Sequence, residues 1–199
     1  MRYEKGRKDA SRDRIVEVAA QRFRGDGIAA SGLATIMGDA GLTNGAFYPH
    51  FRSKAELVRE SVVAAMEIQS QQLQEVLAAG GPEMGIAAYL SAEHRDNPGA
   101  GCASAALLPE LARQPLETRE VYTERLLVLV RQLSAVLPRT RDPEGVALGV
   151  FATLIGALQL ARAVEGTELS DRILAAGADT ARRLIQPSDD ENASHSSLS

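Results

Sequence analysis

The fold is decided by residues 33–51, Leu-Ala-Thr-Ile-Met-Gly-Asp-Ala-Gly-Leu-Thr-Asn-Gly-Ala-Phe-Tyr-Pro-His-Phe. Leu33, Ile36 and Met37 fall at helical spacing and give a short helix, expected over Gly32–Asp39, a buried side. Ala40-Gly41-Leu42-Thr43 then reads as a tight turn. Alanine is small where two helices cross, Gly41 tolerates a positive φ, Leu42 plugs the corner, and Thr43 suits the start of the next helix. That next helix is expected over Asn44–His50, with Phe47 and Phe51 facing inward. A short helix, a glycine turn and a second short helix make a helix-turn-helix.

The outward positions of the second helix suit a DNA groove. Asn44 offers an amide for base edges, and Gly45 and Ala46 permit close approach. Tyr48 and His50 offer a phenol and an imidazole for phosphates, and Lys54 adds a cation at the groove wall. The helix N-terminus after Thr43 carries bare amides and partial positive charge.

Working outward, residues 1–8 read as a loose basic arm with Arg2, Lys5, Arg7 and Lys8. A first helix is expected from Asp9 to Arg24, its apolar face formed by Ile15, Val18, Ala19 and Phe23. Gly25-Asp26-Gly27 stops it, and Ser31 is an N-cap candidate for the next helix. Downstream, Ser53-Lys54-Ala55-Glu56 is a capping box opening a long helix to about Ala79, where Gly80-Gly81-Pro82 ends it. Helices are then expected over 82–93, 104–113, 116–137, 144–164 and 170–185, with a loop at 96–101. No segment alternates in the manner of a strand, so the chain is expected to be all-α: a three-helix head and a six-helix body. The expected divisions are 1–52 for the arm and head, 53–186 for the body, and 187–199 for a polar, disordered tail.

Charge is uneven along the 199 residues. The first sixty carry a balance of +3, the remainder −7, for a net −4. A head that meets phosphate followed by an acidic body fits this asymmetry. The single cysteine, Cys102, forms no internal disulfide, and with three scattered histidines it assembles no metal site, so neither metal nor cofactor is expected. The charged N-terminus lacks the apolar core of a signal peptide, and the apolar run 146–161 is short for a membrane span. No membrane partner and a reducing cytoplasm are the expectation.

The run from Arg14 to Leu57 resembles the DNA-binding head of the TetR family of regulators. The likeness rests on a first helix ending in Phe23, on Ala40-Gly41-Leu42-Thr43, on Phe47-Tyr48-Pro49-His50-Phe51, and on Ser53-Lys54-Ala55-Glu56-Leu57. It is close over about residues 10–60 and architectural beyond. The resemblance implies that Thr43, Tyr48, His50 and Lys54 contact phosphates, that Asn44, Gly45 and Ala46 face bases, and that Ser31 touches the DNA backbone. Pro49 departs from the family pattern; near the end of a short helix its cost is expected to be small.

In the body, Gly149, Thr153, Gly156 and Leu160 recur at about helical spacing, and Leu148, Phe151, Ile155 and Leu158 lie on the opposite face. The last helix offers Ile173, Thr180 and Leu184. Two-sided burial of this kind suggests a subunit interface, and the resemblance implies a homodimer built from these two helices. It also implies an effector pocket within the body, for which Met66, Gln69, Tyr89, His94, Cys102, Leu111, Tyr122, Leu126, Phe151, Gln159 and Arg162 are candidates. The apolar supply favours a hydrophobic or amphipathic small molecule.

The expected function is a regulator, a repressor by family precedent, released by its effector from a palindromic operator in double-stranded DNA. An activator needs the same contacts. In an alternative reading Cys102, at the mouth of a helix, senses oxidants or electrophiles. A cysteine enzyme using Cys102 and His94 lacks a supporting motif and leaves residues 33–57 unexplained, so no enzymatic activity is expected.

Overall fold

The computed structural model describes residues 2–138 and 142–186, with the side chains of all these except 2–5 and 7. Every regular element among them is helical: α1 (Arg2–Asp26), α2 (Leu33–Asp39), a 3₁₀ turn (Asn44–Ala46), α3 (Lys54–Tyr89), α4 (Ala92–Asp96), a second 3₁₀ turn (Pro98–Ala100), α5 (Ala103–Leu111), α6 (Leu116–Ser134), α7 (Pro143–Ala163) and α8 (Thr167–Ile185). The chain divides into two compact units. One joins Met1–Gln69 to Asn97–Leu126, the other Ser70–Asp96 to Leu127–Ser199. The sequence boundary at 52/53 marks where α3 starts, and the first unit continues through it. The tail expected over 187–199 lies outside the described residues.

The first unit is built on α1. Ile15, Ala19 and Phe23, spaced four apart, are 0–1% exposed and meet Ile36 and Met37 of α2, together with Phe47, Phe51, Leu57 and Val58 in the core. The loose arm expected over residues 1–8 is instead helix from Arg2. Glu4, Lys5 and Lys8 favour helix and continue the frame of α1, and exposed Gly6 interrupts it at modest cost. Gly27, at φ +89°, reverses the chain after α1.

Glu56 N donates to Ser53 Oγ at 3.2 Å, the forward half of the capping box, and the Glu56 carboxylate accepts from Arg52 N at 2.7 Å, one residue before the N-cap amide. The helix it opens is interrupted at Gly80 and Gly81, the latter at φ 67°, and resumes at Pro82. It ends at Tyr89, short of the expected Glu93; a separate turn of helix, α4, follows.

In the second unit α7 and α8 pack as a pair. The buried residues of α7 are Ala147, Val150, Phe151, Leu154, Ala157, Leu158 and Ala161. Those of α8 include Leu174, Gly177, Ala178, Ala181 and Ile185. A Cβ placed on Gly177 would lie 2.4 Å from Ala157 Cβ, so the helices touch almost backbone to backbone there. Leu148, expected inward, is 46% exposed: it falls one residue past Ala147, off the buried stripe. A polar cluster ties α4 into the same unit. Arg162 donates to the carbonyls of His94 (2.6 Å) and Arg95 (3.0 Å), and Arg95 reaches Ser170 Oγ and Asp171.

Candidate nucleic-acid interface

α2 closes with Leu42 N donating to Met37 O (2.9 Å) and Gly41 N to Gly38 O (2.9 Å). This reciprocal pair is a Schellman closure, and it places Gly41 at φ +74°, as the turn reading required. Thr43 then takes the N-cap position with extended backbone (ψ 150°), although its hydroxyl makes no capping bond.

The segment that follows differs from expectation. It is a single 3₁₀ turn, Asn44–Ala46, and not a helix to His50. Pro49 explains the difference. It has no N–H to give Gly45, and its ring disfavours helical backbone at Tyr48. The chain continues as a turn, closed by His50 N to Phe47 O (2.9 Å) and Phe51 N to Phe47 O (3.0 Å).

This geometry presents a short polar strip on an aromatic base. Phe47 and Phe51 are 1% exposed and lie with ring centroids 5.6 Å apart. Thr43, Asn44 and Gly45 are exposed, and Ala46 is half-buried. Tyr48 is 73% exposed, its ring perpendicular to Phe47 at 5.3 Å. His50 is half-buried, and its Nδ1 has no hydrogen-bond partner among the described residues. Burial, then the nearby Lys8 and Arg12 charges, hold its imidazole below the ordinary histidine range.

Two of the expected contacts point inward. Ser31 is 4% exposed and donates its hydroxyl to Gly27 O at 2.7 Å. It therefore does not cap α2, whose N-cap is Gly32; a serine hydroxyl can bond back into the preceding turn as readily as forward. Lys54 donates Nζ to Ile28 O at 2.6 Å and lies 5.9 Å from the centre of the Phe23 ring.

Two holding contacts lay outside the sequence reading. The Glu110 carboxylate of α5 accepts from Ile28 N (3.0 Å) and Ala29 N (2.9 Å), fixing the turn between α1 and α2. Arg24 donates Nε to Gly99 O at 2.8 Å. Partners 75–82 residues apart leave no periodic trace in a sequence.

The effector candidates fall into two groups by unit. In the first, Gln69 Nε2 donates to Cys102 Sγ at 3.1 Å, and Tyr122 OH lies 2.9 Å from Ser104 Oγ. Burial raises the Tyr122 phenol, the Ser104 bond opposing it. Met66, Cys102 and Leu111 are buried and Leu126 half-buried. In the second, the Tyr89 and His94 rings meet perpendicularly at 4.7 Å, Phe151 is buried, Gln159 is half-buried, and Arg162 binds the two carbonyls of α4. Among the dimer candidates, Leu160 and Leu184 are 59% and 39% exposed, while Gly149, Thr153, Gly156, Ile173 and Thr180 are half-buried.

Residues 15–61 match the model of the TetR family of bacterial regulatory proteins. The match covers the helix-turn-helix segment, and there the chain is similar to TetR-family regulators. Likeness of fold to solved structures runs over nearly the whole chain. The reduced form of E. coli NemR matches with a TM-score of 0.74 at 19% identity, over 90% of this chain and 99% of that one. A TetR-family regulator from Cytophaga hutchinsonii matches with 0.74 at 19% identity, over 92% and 98%. One from Agrobacterium tumefaciens matches with 0.70 at 21% identity, over 87% and 98%. At such identities the likeness establishes the TetR fold. Among curated proteins no sequence match is found.

Proposed function

We propose that this chain is a homodimeric repressor of the TetR type that binds a palindromic operator and is released by a small apolar or amphipathic effector. The observation that carries the DNA reading is the exposed strip Thr43–Gly45 and Tyr48, held outward by the buried pair Phe47 and Phe51. Asn44 and Gly45 read bases at close range. Thr43, Tyr48 and His50 engage phosphates, and Lys54 does so with the donors left after Ile28. Short side chains at 44–46 give weight to DNA shape in setting specificity.

Selection from random duplex DNA is expected to return a palindrome whose affinity falls steeply with salt. Tyr48→Ala is expected to weaken binding a few-fold to about tenfold, the scale of one lost hydrogen bond. No enriched sequence from folded protein would overturn the DNA reading. Transcription in vitro from the selected promoter separates repression from activation.

The dimer reading rests on Leu160 and Leu184, large apolar side chains left exposed on α7 and α8. Leu160→Glu would place an unpaired carboxylate in that surface. It is expected to weaken self-association by more than about tenfold in sedimentation equilibrium. An unchanged dimer would place the interface elsewhere.

For the effector, the apolar residues around Gln69 and Tyr122 support a small molecule with one or two polar groups. The alternative, sensing through Cys102, draws support from the Gln69 amide beside the sulfur. It requires a reagent to reach a thiol that is 4% exposed, and we place it second.

A further inference from the structure

A cleft of about 570 Å³ runs along α1 within the first unit. Val16, Ala20 and Arg24 line it from α1, Val63, Ala64 and Ile68 from α3, and Gly99 and Ala100 from the turn before α5. The volume falls in the usual range for small-molecule sites, about 300–1,000 Å³.

The charges in the cleft are mostly paired. Arg12 is bonded to Glu60, Glu67 to Arg125 at 2.8 Å, and Glu17 to Arg14 at 2.9 Å. Asp13 is exposed and lies eleven residues from Arg24, roughly 16 Å along the helix. Arg24 is the exception. It is half-buried and forms no ion pair among the described residues; its one hydrogen bond there runs from Nε to Gly99 O. Burial holds its guanidinium below the ordinary arginine value, the proximity of Cys102 opposing this in part. A guanidinium stays protonated, so the lack of a counter-charge is a standing cost that an anion would relieve.

We propose that this cleft binds an amphipathic monoanion, its carboxylate on the Nη groups of Arg24 and its aliphatic body along Val16, Ala20, Val63, Ala64 and Ile68. The Nε bond to Gly99 holds the guanidinium fork in place, leaving the NH₂ groups for a carboxylate. The apolar walls bury a hydrocarbon chain, and Val16 to Arg24 span roughly 12 Å of helix to accommodate it. The site lies wholly in the unit that carries the helix-turn-helix, and it borders the effector candidates Gln69 and Cys102 of that unit.

The test titrates octanoate and octan-1-ol, separately, into the isotopically labelled full chain, following the amide resonances of Gln21, Gly99 and Ala100. Octanoate is expected to shift these saturably, and octanol to bind at least tenfold more weakly. Arg24→Gln is expected to weaken octanoate by roughly tenfold to a hundredfold, the range for a charged hydrogen bond, and to leave octanol unchanged. Ala64→Phe keeps the arginine but fills the cleft, and is expected to exclude both probes. Equal binding of the two probes, octanoate affinity surviving either substitution, or unmoved amides at saturation would each overturn the proposal. If Arg24→Gln fails to fold, Ala64→Phe decides alone.

Discussion

Truncating Phe47 to alanine is expected to destabilise the head by about 3–5 kcal/mol, the cost of emptying a buried aromatic site. The chain has four phenylalanines and no tryptophan, and three of the four lie in this one small core. Phe47 is 1% exposed, near-parallel to Phe51 and edge-on to Tyr48, so its removal leaves a cavity that no neighbouring aromatic can fill without moving. The effect is local, and amide hydrogen exchange at Ile36 and Phe51 reads it better than a global melt. DNA affinity is expected to fall further than in Tyr48→Ala, because Tyr48 loses the ring that sets its direction. Phe47→Leu is expected to recover most of the stability and only part of the affinity. A loss below about 1 kcal/mol for Phe47→Ala would mean that the head is not organised around this aromatic pair.

Gly177→Val is expected to cost about 3 kcal/mol, the upper part of the usual range for overpacking. Helix propensity alone points the other way, since glycine within a helix is worse than almost any residue by up to about 1 kcal/mol. Contact geometry wins. The first added carbon already falls 2.4 Å from Ala157 Cβ and 3.2 Å from Leu90 Cδ1, and valine adds two more. Leu90 can rotate away, whereas Ala157 can yield only by displacing α7. Ala157→Gly in the same chain is therefore expected to restore most of the loss, a coupling that two independent sites would not show. Urea midpoints for the four members of the cycle test this; a stabilised Gly177→Val would show that propensity, and not the helix crossing, governs the position.

The features that could be read in advance are those decided by a few consecutive residues. Gly41 at the turn, Ser53 with Glu56 at the start of α3, and the break at Gly80-Gly81-Pro82 each follow from a local backbone preference, and each occurs where expected. Where one residue has two local options, the sequence does not choose between them. The Ser31 hydroxyl could cap forward or bond back to Gly27, and Pro49 could cost little or stop the helix; in both cases the second occurred. Contacts across long separations left no mark at all. Nothing near Glu110 announces that it serves the amides of Ile28 and Ala29, and nothing near Arg24 announces Gly99. The effector candidates suffered similarly, since Gln69 and Cys102 meet in one unit while Tyr89 and His94 meet in the other.

The reach of Glu110 to the α1–α2 turn bears on how such a head can be inherited. A cassette cut at residue 60 and grafted onto a foreign body would carry the turn but not the carboxylate that satisfies it, and Arg24 would arrive without its carbonyl. The transplantable piece is discontinuous, comprising the N-terminal helices together with the stretch from Gly99 to Glu110. Recombination between relatives that respects only the start of α3 would separate halves that must be matched, and an acid at the position of Glu110 becomes the condition for exchange.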